Sequence, residues 1–552
     1  MTVFGEAQQE SGPGVAPEGL PAARPAAEPG QRPSRRPAPW VARVAWAGGF
    51  AAAAVILFAA CFLQSRTVAV GSDGGSISLQ AWDMLHGNVL LSGWTMSDVS
   101  FWSTELVQYV LIEAVHGLGP GVVHIGGAMT YTLLILLVAY LAKGRATGRE
   151  GLIRVMAAAV IMLAPALGTA TSLLLLTPDH LGSAVPVLLA WLAVDRLGAR
   201  WYVPLTVAVV LAWGQVADSL VLITGVAPMV VVCAVRAGAR LWRRTAEGLP
   251  WYELSLAAAA LVSVGIARGA EALIRIRGGY VLRPLATNMA GWSAFPHHLK
   301  IAAEGLLTIF GAAFFDVHTG AEVTFAALHL IGAVAAGLAV LVALGRLGRP
   351  GHLAIGGLAV AIVVNVVAYV PGTFVTDLFS TREITAVLPF AAVVTGRVLA
   401  GPPLRARLVP VLAVLVIACA AMLGYNATRP AVSPDNANLA AWLVSHHLRA
   451  GLTGDYWVAN STTMDAGTRV TVRQVSAFDD RLVRPIAWGF KADWYDPATQ
   501  HANFLVTSDA DAANWRKVRR IALRTFGPPA VTFHAGDYMV LVWHKNLLAG
   551  IR

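Results

Sequence analysis

From residue 40 onward the chain repeats one pattern, in which a long apolar run gives way to a short polar connection and then to another apolar run. Runs of about 20 apolar residues, wound as helices, match the hydrocarbon thickness of a bilayer. The pattern predicts spans at 40–63, 121–142, 152–176, 181–194, 201–213, 217–235, 251–273, 324–344, 353–370, 384–400 and 408–424, about eleven transmembrane helices. Residues 1–39 show no such periodicity. They are rich in Pro, Ala, Gly, Glu and Arg and read as a disordered tail.

Three stretches interrupt the repeat. In 64–120, Ile77, Ala81, Trp82, Leu85 and Val89 recur at helical spacing, and a second helix carries Glu105, Gln108, Glu113 and His116 on one side. Both read as helices lying in the membrane interface. The stretch 274–323 ends in an apolar candidate, Leu299 to Phe315. Residues 425–552 are long enough for a small soluble α/β or α+β domain. Their pattern predicts a helix at 435–450 capped by Ser433 or Asp435, and strands near 455–460, 469–475 and 503–507. A basic helix at 511–525 and a hairpin of Ala530–His534 with Tyr538–His544 follow.

Composition agrees with a polytopic α-helical membrane protein, since 56% of the 552 residues are hydrophobic and only 13% charged. The net charge of +10 finds its explanation in topology. Lys143/Arg145/Arg149/Arg154, Arg196/Arg200, Arg236/Arg240/Arg243/Arg244, Arg346/Arg349 and Arg397/Arg405/Arg407 fall in alternate short loops. By the positive-inside rule those loops and the N-terminus are cytoplasmic, which places the odd-numbered last span's tail outside the cell membrane. No basic stripe interleaved with aromatics suggests a nucleic-acid partner. Cys61, Cys233 and Cys419 each lie within an apolar run and read as small buried hydrophobes without metal-ligand spacing.

Acidic residues are scarce, so their positions carry information. Asp73 follows the first span in the Gly71–Gly75 turn, Glu105 opens the second interfacial helix, and Asp179 precedes His180 ahead of the fourth span. All three fall at helix ends on one predicted side, where a carboxylate near low dielectric needs partners. Each also has an ordinary structural reading: a turn or helix-end acid for Asp73 and Asp179, a solvated first-turn acid for Glu105. Trp457, Trp488, Trp494, Tyr495 and Trp543 read as core of the tail, and Asp83 and Asp98 as turn or helix acids.

Four stretches in this order resemble the GT-C superfamily of membrane glycosyltransferases, of the dolichyl-phosphate-mannose mannosyltransferase and aminoarabinose-transferase type. They are GSDGGSISLQAWDMLHGNVLL from Gly71 to Leu91, FWSTELVQYVLIEAVHGLGPGVVHIGGAM from Phe101 to Met129, LLLLTPDHLGSAVPVLLAWLAVD from Leu173 to Asp195, and TREITAVLPF from Thr381 to Phe390. The chain departs from the family at Gly74, where an acidic neighbour is common, and at Leu106-Val107, where Pro-Pro is common.

The resemblance implies transfer of a sugar from a polyprenyl-phosphate donor to an extracytoplasmic glycan, lipid or protein acceptor, with inversion. Asp73 would be the general base, with Glu105 and Asp179 orienting the acceptor or holding a divalent cation, although nothing in the sequence requires a metal. Arg382 would stabilise the leaving phosphate, with Arg283, Lys300 and His180 as further substrate contacts. A transporter and a catalytically inactive scaffold of the same fold are the alternatives. Against the transporter, these acids sit at the outer mouth rather than at the midplane.

Overall fold

A computed structural model describes residues 39–551 apart from 177–179, 243–248, 284–287, 318, 350–351, 401–404, 486–487 and 509–512. The expectation for residues 1–38, and that for Asp179, lie outside the described residues. Each of the eleven predicted spans contains a helix. Six of the described helices are long and apolar enough to cross a membrane: Gly48–Ser65, Gly121–Lys143, Leu222–Trp242, Trp251–Ile276, Gly320–Leu344 and Leu408–Ala427. A seventh crossing results if Leu378–Ile384 and Val387–Leu399, bent by 53° at their junction, act as one span.

The remaining predicted spans fold as shorter pieces for visible reasons. The segment at 152–176 breaks between Gly148–Met162 and Thr169–Leu175, where Pro165 interrupts the helix and Gly168 takes φ +71°. The carbonyl of Pro165 is not left bare, because Gln64 Nε2 (2.7 Å) and Asn426 Nδ2 (2.9 Å) both donate to it. Non-helical backbone deep in a bundle is tolerated when protein groups satisfy it in this way. The span expected from 217 starts instead at Leu222, because Asp218 ends the preceding helix and turns the chain. All three cysteines are free and buried.

The stretch after the first span folds as two helices, Ser72–Leu85 and Glu105–His116, as the periodicity predicts. The glycines at 74 and 75 do not form an open turn. They lie in the first turns of the Ser72–Leu85 helix, whose N-cap is Gly71. A Cβ on Gly75 would stand 2.9 Å from the backbone carbonyl of Asn460. Gly75 therefore admits a second helix, Tyr456–Asp465, against the first. Ser72 Oγ seals the contact by donating to the Tyr456 carbonyl at 2.6 Å.

That second helix corrects the expectation of a strand at 455–460. Asp455 caps it by accepting from the Trp457 amide at 2.8 Å. More than half of its buried residues are polar: Asn460, Ser461, Thr462 and Thr463 are inside beside Val458, Ala459 and Met464. Apolar periodicity therefore could not mark it, and Tyr-Trp-Val imitates a strand. The strand at this point lies earlier, at Ala450–Thr453.

The tail is built on a five-stranded mixed sheet in the order Thr471–Gln474, Ala450–Thr453, Phe504–Ser508, Tyr538–Val542, Val531–Ala535. The first two pairings are parallel and the last two antiparallel. Leu452, Leu505 and Leu541 bury one face against the Ala513–Phe526 helix. Val472, Phe504 and Val540 bury the other against Leu439, Leu443 and Val458. A small three-stranded sheet ties distant segments together: Trp94–Met96 pairs in parallel with Val281–Leu282 and antiparallel with Phe490–Lys491.

Candidate active site

Asp73 occupies the first turn of the Ser72–Leu85 helix, where the unpaired amides favour a negative charge. It does not cap that helix, whose N-cap makes no side-chain hydrogen bond. Its carboxylate faces a cavity of about 240 Å³ together with Gln80, Asp98, His180, Arg382, Glu383, Tyr456, Trp457 and Trp488.

Both oxygens of Asp73 are engaged. Oδ1 accepts from the Tyr456 hydroxyl at 2.6 Å, and Oδ2 faces Arg382 Nη1 at 3.4 Å. The Tyr456 hydroxyl also accepts from the indole of Trp488. Burial, and then the Asp73 carboxylate, push the Tyr456 phenol well above its ordinary range, so it remains a donor to Asp73.

Arg382 belongs to the Leu378–Ile384 segment, whose start is capped by Asp377 through the Ser380 amide at 2.9 Å. Thr381 packs into Gly305, where a Cβ would lie 2.1 Å from its methyl carbon. With its neighbour locked, the guanidinium stands 5.1 Å over the Phe379 ring and points to Asp73.

Behind this pair lies a second network. His180 takes φ +48°, a costly conformation for a residue with a side chain. Its Nδ1 is 3.0 Å from Asp218 Oδ2 and its Nε2 is 3.2 Å from Glu383 Oε1. Two carboxylates at the two ring nitrogens require both nitrogens to donate, which only the imidazolium does. Burial alone would lower the His180 pKa, but Glu383 and Asp218 override it and hold it well above the ordinary value.

His180, Glu383 and Asp98 also line a second cavity of about 370 Å³, with Asn288, Asn365 and the apolar Leu220, Ile223 and Phe374. A third, of about 460 Å³, carries Arg268, Arg275 and Tyr280 and again touches Asp98. Asp98 thus stands where all three meet. Burial raises its pKa, a tendency that His180 moderates.

The predicted residues are only partly brought together. Asp73, Arg382 and His180 share the first cavity. Glu105 is not in its wall; it is buried against the 180–183 turn. Thr104 Oγ1 donates to its Oε2. A Cβ on Gly182 would fall 1.6 Å from its Oε1, so only glycine fits there. Burial pushes Glu105 up to about 7.

Arg283 and Lys300 stand apart from these cavities. Arg283 is exposed beside the small sheet, its amide donating to the Met96 carbonyl at 2.9 Å, and it lines none of the three cavities. Lys300 points outward and faces Glu304 at 3.8 Å, because the inner face of its helix is taken by His298 bound to the Val370 carbonyl.

Tyr456, Trp457 and Trp488 come from the tail, and all three line the first cavity, so Trp457 and Trp488 depart from the expectation of a place in the tail core. Trp457 is half exposed, whereas Tyr495 and Trp543 are buried as expected. The Asp455 cap ahead of Tyr-Trp was the available signal for a helix presenting them. Among the described residues no group of three His, Cys, Asp or Glu side chains is arranged to hold a metal ion.

No family model and no curated protein matches the chain. Solved structures do. ArnT from Cupriavidus metallidurans bound to undecaprenyl phosphate superposes with a TM-score of 0.53 and 14% identity over 90% of this chain and 98% of that one. The same protein in the apo state gives 0.51 and 15%, covering 91% and 98%. An Archaeoglobus fulgidus oligosaccharyltransferase tethered with an acceptor peptide gives 0.44 and 12%, covering 87% and 71%. The chain therefore shares the fold of these ArnT structures along nearly its whole length. It is a multi-pass helical membrane architecture with a strand-containing C-terminal region.

Proposed function

We propose that the chain is an integral membrane glycosyltransferase that moves a sugar from a polyprenyl-phosphate donor to an acceptor hydroxyl. The observation that carries this reading is Asp73 facing Arg382 across one cavity walled by tail aromatics. The Asp73–Arg382 contact is long at 3.4 Å, so Oδ2 is the oxygen that an incoming hydroxyl can claim. Asp73 takes the acceptor proton, and the freed oxygen attacks the anomeric carbon. The bond from that carbon to the phosphate oxygen breaks, and the electron pair leaves on the phosphate, with inversion. Arg382 turns toward the developing charge on the phosphate.

In this reading Tyr456 holds Asp73 in place, and Trp457 and Trp488 offer faces on which a sugar can stack. His180 contacts substrate from the cavity wall, Asp179 orients the acceptor, and Glu105 braces the turn that carries His180. The charge pattern of the loops supports eleven crossings, a cytoplasmic N-terminus and a 425–552 domain outside the cell. Envelope glycan, lipid and protein are the acceptor classes this places within reach.

A lipid-linked glycan profile of membranes with and without the gene tests the reading, repeated with Asp73→Asn. Accumulation of one lipid-linked sugar in both the deletion and the variant is expected. An unchanged profile in the deletion would sink the transferase in favour of a transporter or scaffold. A changed deletion with a silent variant would remove Asp73 as the base.

A further inference from the structure

The tail helix Ala513–Phe526 has a charge pattern that its own stability does not explain. It carries Arg516, Lys517, Arg519, Arg520 and Arg524, and no acidic residue. Arg516 and Arg520 stand four residues apart, as do Arg520 and Arg524, so like charges are stacked along one stripe. Arg516 and Lys517 lie near the N-terminal end, where the helix dipole disfavours cations. A face evolved only for solubility would mix signs.

The apolar face explains the helix's attachment, since Val518, Ile521 and Ala522 are buried on the sheet. Arg516, Lys517, Arg520 and Arg524 are exposed, and a shallow depression of about 410 Å³ lies among Arg516, Arg519, Arg520, Leu523 and Arg524. The neighbouring hairpin Ser476–Phe478/Arg481–Val483 adds Arg481 and, at its turn, the acids Asp479 and Asp480. Lys517 is tethered to this hairpin through the Ala477 carbonyl at 3.2 Å.

Position decides between partners. The sheet lies between this helix and the Tyr456–Asp465 helix that packs on Ser72–Leu85. The basic stripe therefore lies across the sheet from the contact with Ser72–Leu85, a placement that favours a soluble partner over lipid headgroups. Guanidinium groups repeated along one stripe suit phosphates repeated along a chain, each a match for the planar fork.

We propose that the exposed face of the Ala513–Phe526 helix docks a soluble polymer of repeating phosphodiesters. The surface is separate from the Asp73 cavity and does not depend on the transferase reading.

The test uses the full chain in neutral-lipid nanodiscs and fluorescently labelled poly(glycerol phosphate), read by anisotropy. Wild type should bind at low salt and lose most of its affinity between about 50 and 200 mM salt, as counterion release requires. R520Q/R524Q should weaken binding at least about tenfold, while glutamine preserves helix propensity. R429Q/R449Q removes the same charge elsewhere on the tail and should stay within about twofold, given the local character of the contact. Matching melting temperatures show that the variants fold, and the single Arg520→Glu change supplies a second reading at an exposed position. Absence of binding at low salt overturns the proposal, as does equal affinity in R520Q/R524Q. So does capture by phosphatidylglycerol vesicles without polymer binding, which would assign the stripe to a lipid surface.

Discussion

The hydroxyl of Tyr456 donates to Asp73 Oδ1 at 2.6 Å, joining residues 383 positions apart in the chain. One comes from the first helix after the first predicted span, the other from the tail. The carboxylate at the centre of the first cavity is thus held by a group from beyond the last membrane helix.

Replacing Tyr456 by Phe keeps the ring and removes the donor. Loss of one hydrogen bond to a charged group costs about 1.5–3 kcal/mol, so sugar transfer in membranes should fall roughly tenfold or more. Expression and detergent extraction should be unchanged. Wild-type transfer in that variant would show that Asp73 needs no tail partner.

Gly75→Ala should separate the two helices that carry Asp73 and Tyr456. The new methyl meets backbone, not a side chain able to turn aside, at 2.9 Å. Overpacking of this kind costs about 1–3 kcal/mol and should lower both melting temperature and transfer. Gly265→Ala, with nothing within 4 Å, is the matched control and should leave both intact.

Glu105→Gln should reveal the cost of burying a carboxyl. Burial raises Glu105 from 4.5 to about 7 in the folded protein, so folding favours its protonated form. Below pH 4.5 the group is neutral folded and unfolded, and no penalty exists. As pH climbs from there through about 7 the unfolded chain ionises first and stability drains away. The variant should melt higher than wild type at pH 8 and alike at pH 4. A constant difference across that range would mean that Glu105 does not titrate with folding.

The sign is the same for His180, whose folded pKa is raised by Glu383 and Asp218 over the lowering effect of burial. Its contribution is complete below the ordinary histidine value of 6.5 and is lost as pH rises through the raised one. Thermal melts of wild type should therefore fall on the alkaline side, and His180→Gln should flatten that slope. The variant should also perturb the wall between the first two cavities, seen as altered transfer.

Helix positions were largely readable because burial in a membrane protein is written as long apolar runs, and each predicted span holds a helix. Asp73 and Arg382 were readable because charges are rare near such runs. What could not be read was anything whose inside is polar. The Tyr456–Asp465 helix buries Asn460, Ser461 and Thr462, so it mimics a surface segment. Glu383 and Asp218 carry no pattern of their own in the sequence, and only the turn at His180 places both against one imidazole. Arg283 and Lys300 lie outside the three cavities, a placement that depends on how the chain packs against its neighbours.

The three-stranded sheet has a consequence for how the protein is made. Its last strand is Phe490–Lys491, and the Gly489 amide just before it donates to the Thr95 carbonyl at 2.9 Å. Trp488 enters the cavity wall just ahead of that strand, and Tyr456 enters it on the helix that packs against Ser72–Leu85. A growing chain therefore carries Asp73 and Arg382 without Tyr456, Trp457 and Trp488 until the tail has been made. The cavity is finished last, its outer wall being supplied by the tail.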